Sequence, residues 1–258
     1  MKKRIRIFLT LALAIAVGII AGATWSLKPF ALAQKRTKSE VKDISITIKK
    51  QAEAPLILTA QQIVSTDVYR PGFDYLVTNT NQKSIRAYTI RIESIYGDAG
   101  ARMTRSSLSN LIARELVLGP GQSRQTIESG AATYPEPVKE ILLSLDFVEF
   151  DDGTTWGADT FKSAETLAGE RAGGKAAIRY YRTKFERGEL KQEDLENDAF
   201  EILKQMDTDA SAARRRGFES GIGIVRNRLR RAFSSNKPED ISAELAKPFD
   251  ASEGRDRP

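Results

Sequence analysis

The sequence predicts an all-β antiparallel sandwich followed by a small α-helical region, and three observations carry that expectation. Between residues 44 and 157, apolar residues recur with period two in short runs closed by turn residues, the pattern of half-buried strands. After Asp159 the period lengthens to that of an amphipathic helix. The composition, 41% hydrophobic and 29% charged over 258 residues, is that of a globular chain able to bury a core without cross-links, and it contains no cysteine.

The elements follow in order. Ile44, Ile46 and Ile48 alternate with polar residues and predict a first strand. The stretch 56–68 is rich in Ile, Val, Leu and Thr and holds one or two more. Pro71-Gly72 is a turn, after which Phe73, Tyr75 and Val77 alternate up to Asn79-Thr80-Asn81. Residues 85–96 form a longer strand with Tyr88, Ile90 and Ile92 on one face, closed by Gly97-Asp98-Ala99-Gly100. The segment 102–115 reads as a loop with a helical turn. Gly119-Pro120-Gly121 separates 116–118 from 123–127, and 138–150 is the most apolar stretch after the N-terminal segment. Asp152-Gly153, between 138–150 and Thr154-Thr155-Trp156-Gly157, signals a hairpin.

Beyond 159 the sequence predicts helices. Gly173-Gly174 is expected to break a helical run between 161–172 and 175–187. Residues 191–206 form a second helix with Leu195, Ala199, Ile202, Leu203 and Met206 on one face. Residues 211–233 form a third, with an apolar stripe of Phe218, Ile222, Val225, Leu229 and Phe233. The polar stretch 234–258, with Pro238, Pro248 and Pro258, is expected to be a disordered tail.

The N-terminus carries its own signal. Lys2, Lys3, Arg4 and Arg6 precede an uncharged, mostly apolar run over 7–27, and Pro29 then precedes Ala31-Leu32-Ala33. That order, positive then apolar then small-x-small, is the pattern of a secretion signal cleaved after Ala33. The expected organisation is signal peptide 1–33, linker 34–43, sandwich 44–159, helical region 160–233 and tail 234–258. The localisation it implies is periplasmic or secreted, with anchoring by an uncleaved N-terminal helix as the alternative, since 21 uncharged residues approach the length of a bilayer span. Five of the 40 basic residues and none of the 34 acidic ones lie in 1–33, so the rest of the chain carries a net charge of +1. A chain so near neutrality has no global field to recruit nucleic acid.

Val77-Thr-Asn-Thr80, Ser84-Ile-Arg-Ala-Tyr88, Leu118-Gly-Pro-Gly-Gln-Ser123 and the hairpin 147–157 together give 44–157 the look of a known module. The stretch resembles bacterial exported Ig-like modules of the FxLYD type, with the helical region outside the resemblance. The resemblance implies an all-β antiparallel Ig-like sandwich followed by a small α-helical region, and a non-catalytic role in the cell envelope.

The residue types narrow the chemistry. Without histidine or cysteine, Ser-His-Asp, Cys-His and ordinary zinc sites cannot be assembled from this chain alone. Asp146, Glu149, Asp151 and Asp152, with Asp159 nearby, are the one acidic group that could serve carboxylate-based glycan hydrolysis or hold calcium. A strand would point Asp146 and Glu149 to opposite faces, and the expected reading is solvent-side strand residues plus a hairpin turn. Trp156 and Tyr75, with Tyr69 and Phe73, are aromatic contact candidates for a sugar or peptide, against core packing as the alternative. Gly221-Ile-Gly223 beside Arg214-Arg215-Arg216 is a weak phosphate candidate, and Ser39 with Lys42 has Ser-x-x-Lys spacing. Arg226, Arg228, Arg230 and Arg231 make 211–233 a basic amphipathic helix, suited to an anionic membrane surface or to docking on its neighbours. The functional expectation is a non-catalytic exported envelope protein that binds a protein or glycan and needs no cofactor. The alternatives are a carboxylate-based envelope glycan hydrolase, or a membrane-surface protein held by the basic helix.

Overall fold

The structure is a computed structural model that describes residues 44–250, apart from Thr66, 111–117, 130–132 and Asn236. The expected signal peptide 1–33 and linker 34–43, Ser39 and Lys42 included, lie outside the described residues, as do 251–258.

The chain is mixed α and β, which corrects the all-β Ig-like expectation. Eight strands are described: β1 Ser45–Ile48, β2 Leu56–Ile63, β3 Phe73–Asn79, β4 Ile85–Tyr96, β5 Ala101–Asn110, β6 Ser123–Glu128, β7 Val138–Phe150 and β8 Thr155–Gly157. The helices are α1 Ser163–Glu186, α2 Asp194–Asn197, α3 Ala199–Leu203, α4 Ala212–Phe233 and α5 Pro238–Ala246. One sheet has the order β1-β7-β4-β5 with β8 also on β7; the other, β2-β3-β6, is antiparallel. β1 runs parallel to β7, Ser45 opposite Glu140 and Ile48 opposite Leu143. Further along that same edge β8 pairs antiparallel, Val148 opposite Trp156, forming the expected hairpin. Alternation in 44–48 predicts a strand but carries no information on its direction, so the parallel pair was not visible.

Two further expectations are corrected. Residues 101–110 form an edge strand on β4 rather than a loop, entered through Gly97 and Gly100, both at φ +68°. The first four residues of this strand are all exposed, on both faces, so they offer no alternation to read. Gly173-Gly174 does not break a helix, because α1 runs through it unbroken for 24 residues.

The two sheets share one core, in which Phe73, Tyr75 and Val77 meet Ile90, Ile92, Ile141 and Leu143. The outer face of the larger sheet is covered by α1: Ala87 and Phe147 pack against Leu167, and the Thr89 and Ser163 hydroxyls lie 2.7 Å apart. Residues 145–150 are accordingly all buried, as in a strand covered on both faces.

The helices are joined by glycine. A Cβ on Gly169 or Gly173 would overlap the backbone of Arg214 or Phe218, and one on Gly217 or Gly221 that of Thr166 or Glu170. Since 166 and 170 oppose 217 and 221, α1 and α4 run in the same direction with their backbones in contact. The segment 187–211, with α2 and α3 in place of the single expected helix, carries the chain back to start α4. Phe218, Ile222, Val225 and Leu229 are buried, so the stripe of α4 is spent inside the helical layer. The expected disordered tail instead contains α5, begun by Pro238 in its first turn, and Ile241, Leu245 and Phe249 join the helical core. No helix among the described residues is long and apolar enough to cross a membrane.

Candidate functional site

Each acid of the 146–159 group has a structural partner or an exposed position. A register shift between Leu145 and Phe147 sets Asp146 outside the pairing with β4. Its carboxylate accepts from the Thr160 hydroxyl and, at 3.3 Å, from the Phe161 N–H, fixing the turn into α1. Asp159, at φ +50°, accepts from the N–H groups of Ser163 and Ala164 and so caps α1. Asp152 takes the Lys83 ammonium at 2.6 Å and closes its own turn onto Thr154, while Asp151 is exposed. Asp146 and Glu149 are buried, which corrects the expectation that they face solvent. No group of three or more metal-ligating side chains occurs among the described residues.

Glu149 belongs to a buried network that ties three parts of the chain together. Arg171 of α1 donates from Nη2 to both Glu149 oxygens, at 2.8 and 3.0 Å, and from Nε to Asp250 at 2.8 Å. Arg86 of β4 reaches the same Asp250 oxygen at 2.7 Å and lies 3.7 Å from Glu149. Burial works against the Arg171 charge, but Glu149 and Asp250 outweigh it and hold its pKa above the ordinary value. Two arginines and two carboxylates leave the cluster neutral. Beside it Glu170 is buried and accepts from Asn110 at 3.3 Å and Ser220 at 3.4 Å.

Next to Arg86 a cavity of about 310 Å³ opens between the sheets. Among the described residues, Ile85 and Tyr88 of β4, Ser109 and Asn110 of β5, and Leu118, Gln122, Ser123 and Arg124 from the approach to β6 and its start also line it. Tyr88 is 4% exposed, and among the described residues its hydroxyl has no hydrogen-bond partner. Arg124 is half-buried, it pairs with no carboxylate among the described residues, and no acid among them lines the cavity. The cavity thus joins a buried phenol that donates to nothing among the described residues and a half-buried guanidinium that no carboxylate among them answers.

The residues singled out by sequence lie elsewhere. Tyr75 is fully buried in the shared core, its hydroxyl 3.4 Å from Glu128, and Trp156 on β8 packs half-buried against that core. Arg226 and Arg230 both bind Glu196, Arg228 donates to the side chain and carbonyl of Glu244, each at 3.1 Å, and Arg231 is exposed. Gly221 lies inside α4 against α1, so no phosphate-cradling turn exists there. A second concavity, about 430 Å³, lies between α1 and 246–249, with Lys175, Arg179, Arg182 and Lys247 around Ile178 and Phe249. Sequence reasoning missed the inter-sheet cavity because its walls come from strands far apart in the chain. The one signal was Arg124, a charge at an inward-facing position of β6 opposite the buried Val77.

No family model matches the sequence, and no curated protein does. Among solved structures, the chain is similar to a hypothetical protein of Peptoclostridium difficile 630, at 12% identity and a TM-score of 0.29 over 44% of this chain and 91% of that one. It is also similar to the structural-genomics target SoR45, at 9% identity and a TM-score of 0.24 over 39% of this chain and 75% of that one.

Proposed function

We propose that this chain is an exported, non-catalytic binding protein of the cell envelope, and that the inter-sheet cavity is its ligand site. The observation that carries the binding part is a cavity of about 310 Å³ lined by both the buried, unpartnered Tyr88 hydroxyl and the half-buried Arg124, whose charge no carboxylate among the described residues answers. A cavity of that size with a few polar groups on apolar walls is a common form of small-molecule site. Nothing among the described residues points to catalysis. The hydrolase alternative needs two acids free to act on one bond, whereas Asp146, Glu149 and Asp159 are held by hydrogen bonds or ion pairs. The membrane-surface alternative needs the apolar stripe of α4, and that stripe is buried. Export is supported by the basic, then apolar, then Ala31-Leu32-Ala33 order of the first residues.

The test has two arms. N-terminal sequencing of the chain recovered from the envelope fraction is expected to read from Gln34; recovery of the intact N-terminus from the cytosol removes the export part. A fragment screen on the purified full chain, read at the Ile85 and Leu118 methyl groups by NMR, is expected to find small ligands that shift both. A screen that moves neither removes the binding part.

A further inference from the structure

We infer that the inter-sheet cavity takes a small organic monocarboxylate with a compact apolar body, its carboxylate held by Arg124 and Tyr88. This rests on the reading of the cavity as a ligand site and adds the class of ligand.

The charge count gives the first step. Two guanidinium groups reach the cavity, but Arg86 is matched by Glu149 and Asp250 within the buried network. Arg124 is the one whose charge no carboxylate among the described residues answers, and no acid among them lines the walls. The site therefore has room for one compensating negative charge. The remaining polar side chains along it, Ser109, Asn110, Gln122 and Ser123, are neutral.

Geometry and size give the second. A guanidinium is a planar fork that matches a carboxylate with two parallel hydrogen bonds. The Tyr88 hydroxyl is a donor with nothing to donate to, and a carboxylate has lone pairs to spare for it. Ile85, Leu118 and the Tyr88 ring supply apolar wall, which favours an organic acid over a hydrated inorganic anion. The volume, about 310 Å³, equals that of roughly ten waters. That holds the whole of an acid the size of benzoate or hexanoate, and only part of a lipid or an oligosaccharide.

The experiment titrates the purified full chain with benzoate, hexanoate and the uncharged isostere benzamide, by calorimetry and by NMR at the Ile85 and Leu118 methyl groups. The acids are expected to bind with dissociation constants of about 0.1–1 mM. Benzamide is expected to be at least about tenfold weaker, since it lacks the charge. Arg124→Gln weakens the acids about tenfold or more, and Tyr88→Phe about fivefold. Tyr88→Phe leaves the unfolding midpoint unchanged or higher, because it deletes a buried hydroxyl that has no partner, so lost binding cannot be ascribed to lost folding. Arg231→Gln, outside the cavity, changes neither reading. Equal binding of benzoate and benzamide, or acids indifferent to Arg124→Gln, overturns the carboxylate assignment while methyl shifts keep the cavity as a site. Absence of methyl shifts with any of the three compounds overturns both.

Discussion

A single nitrogen of Arg171 serves both oxygens of Glu149, at 2.8 and 3.0 Å, where α1 crosses the larger sheet. The same guanidinium binds Asp250, so one side chain joins β7, α1 and the end of the described chain. Glu149 and Asp250 are both buried, and removing the cation leaves two carboxylates sharing Arg86. Arg171→Met is therefore expected to cost about 3–5 kcal/mol, read from urea unfolding. Adding Glu149→Gln to that variant recovers part of the loss. A loss below about 1 kcal/mol would mean that the network behaves like a surface ion pair.

The glycines of α4 separate backbone contact from helix propensity. Gly221 lies against the carbonyl of Glu170, whereas a Cβ on Gly223 would meet nothing within 4 Å. Gly221→Ala must push α4 away from α1 and is expected to cost about 1–3 kcal/mol or more. Gly223→Ala only lowers the entropy of the unfolded chain and is expected to stabilise by about 0.5–1 kcal/mol. Opposite signs for two alanine substitutions two residues apart are read from thermal or urea midpoints. Equal effects would mean that the helices do not touch along this face.

This contrast also explains what the sequence could show. The strands β1, β3 and β4 and the stripe of α4 follow from local periodicity, β7 from its apolar run and the β7–β8 hairpin from Asp152-Gly153, and they form as expected. Gly173-Gly174 misleads because local propensity treats paired glycines as a breaker, while here Gly173 lets α4 approach and Gly174 makes room for the Phe249 ring. The cover of α1 over the larger sheet had a trace in the unbroken burial of 145–150, which alternation alone does not single out from a strand buried on one face. The charged network joins residues as far apart as Arg86 and Asp250, and the cavity draws on three strands. Neither leaves a motif at any fixed spacing.

The end of the chain supplies a third test. Phe249 is 5% exposed, its ring seated where a Cβ on Gly174 would have to go, and Arg182 donates to the carbonyl of Leu245 just before it. Phe249→Ala is expected to cost about 3–5 kcal/mol, the range for emptying a buried aromatic site. A chain ending at Lys247 loses Asp250 as well and is expected to fall further. The urea midpoint of the shortened chain measures it, and wild-type stability after removal of 248–258 would mean that Phe249 and Asp250 add nothing to the fold.

Glu170 sets a pH dependence whose sign is opposite to that of most carboxylates. Burial pushes its carboxyl above the ordinary glutamate range, against the hydrogen bonds from Ser220 and Asn110 and the charge of Arg171. The folded chain then holds the proton more tightly than the unfolded one, so this group makes stability fall as pH rises from the ordinary glutamate value through the raised one. Glu196 works the other way: the bond from Arg230 lowers its pKa, and its contribution is lost as pH falls through that lowered value. The two are separated by comparing the wild type with Glu170→Gln, which keeps an acceptor for Asn110 and a donor for Ser220 but carries no charge. The variant is expected to gain stability over the wild type as pH rises from about 4.5 towards 8, with little difference below that range. Urea midpoints across pH 4–8 measure it. A variant less stable than the wild type at neutral pH would show that Glu170 is held there as an anion, with Arg171 rather than burial deciding its state.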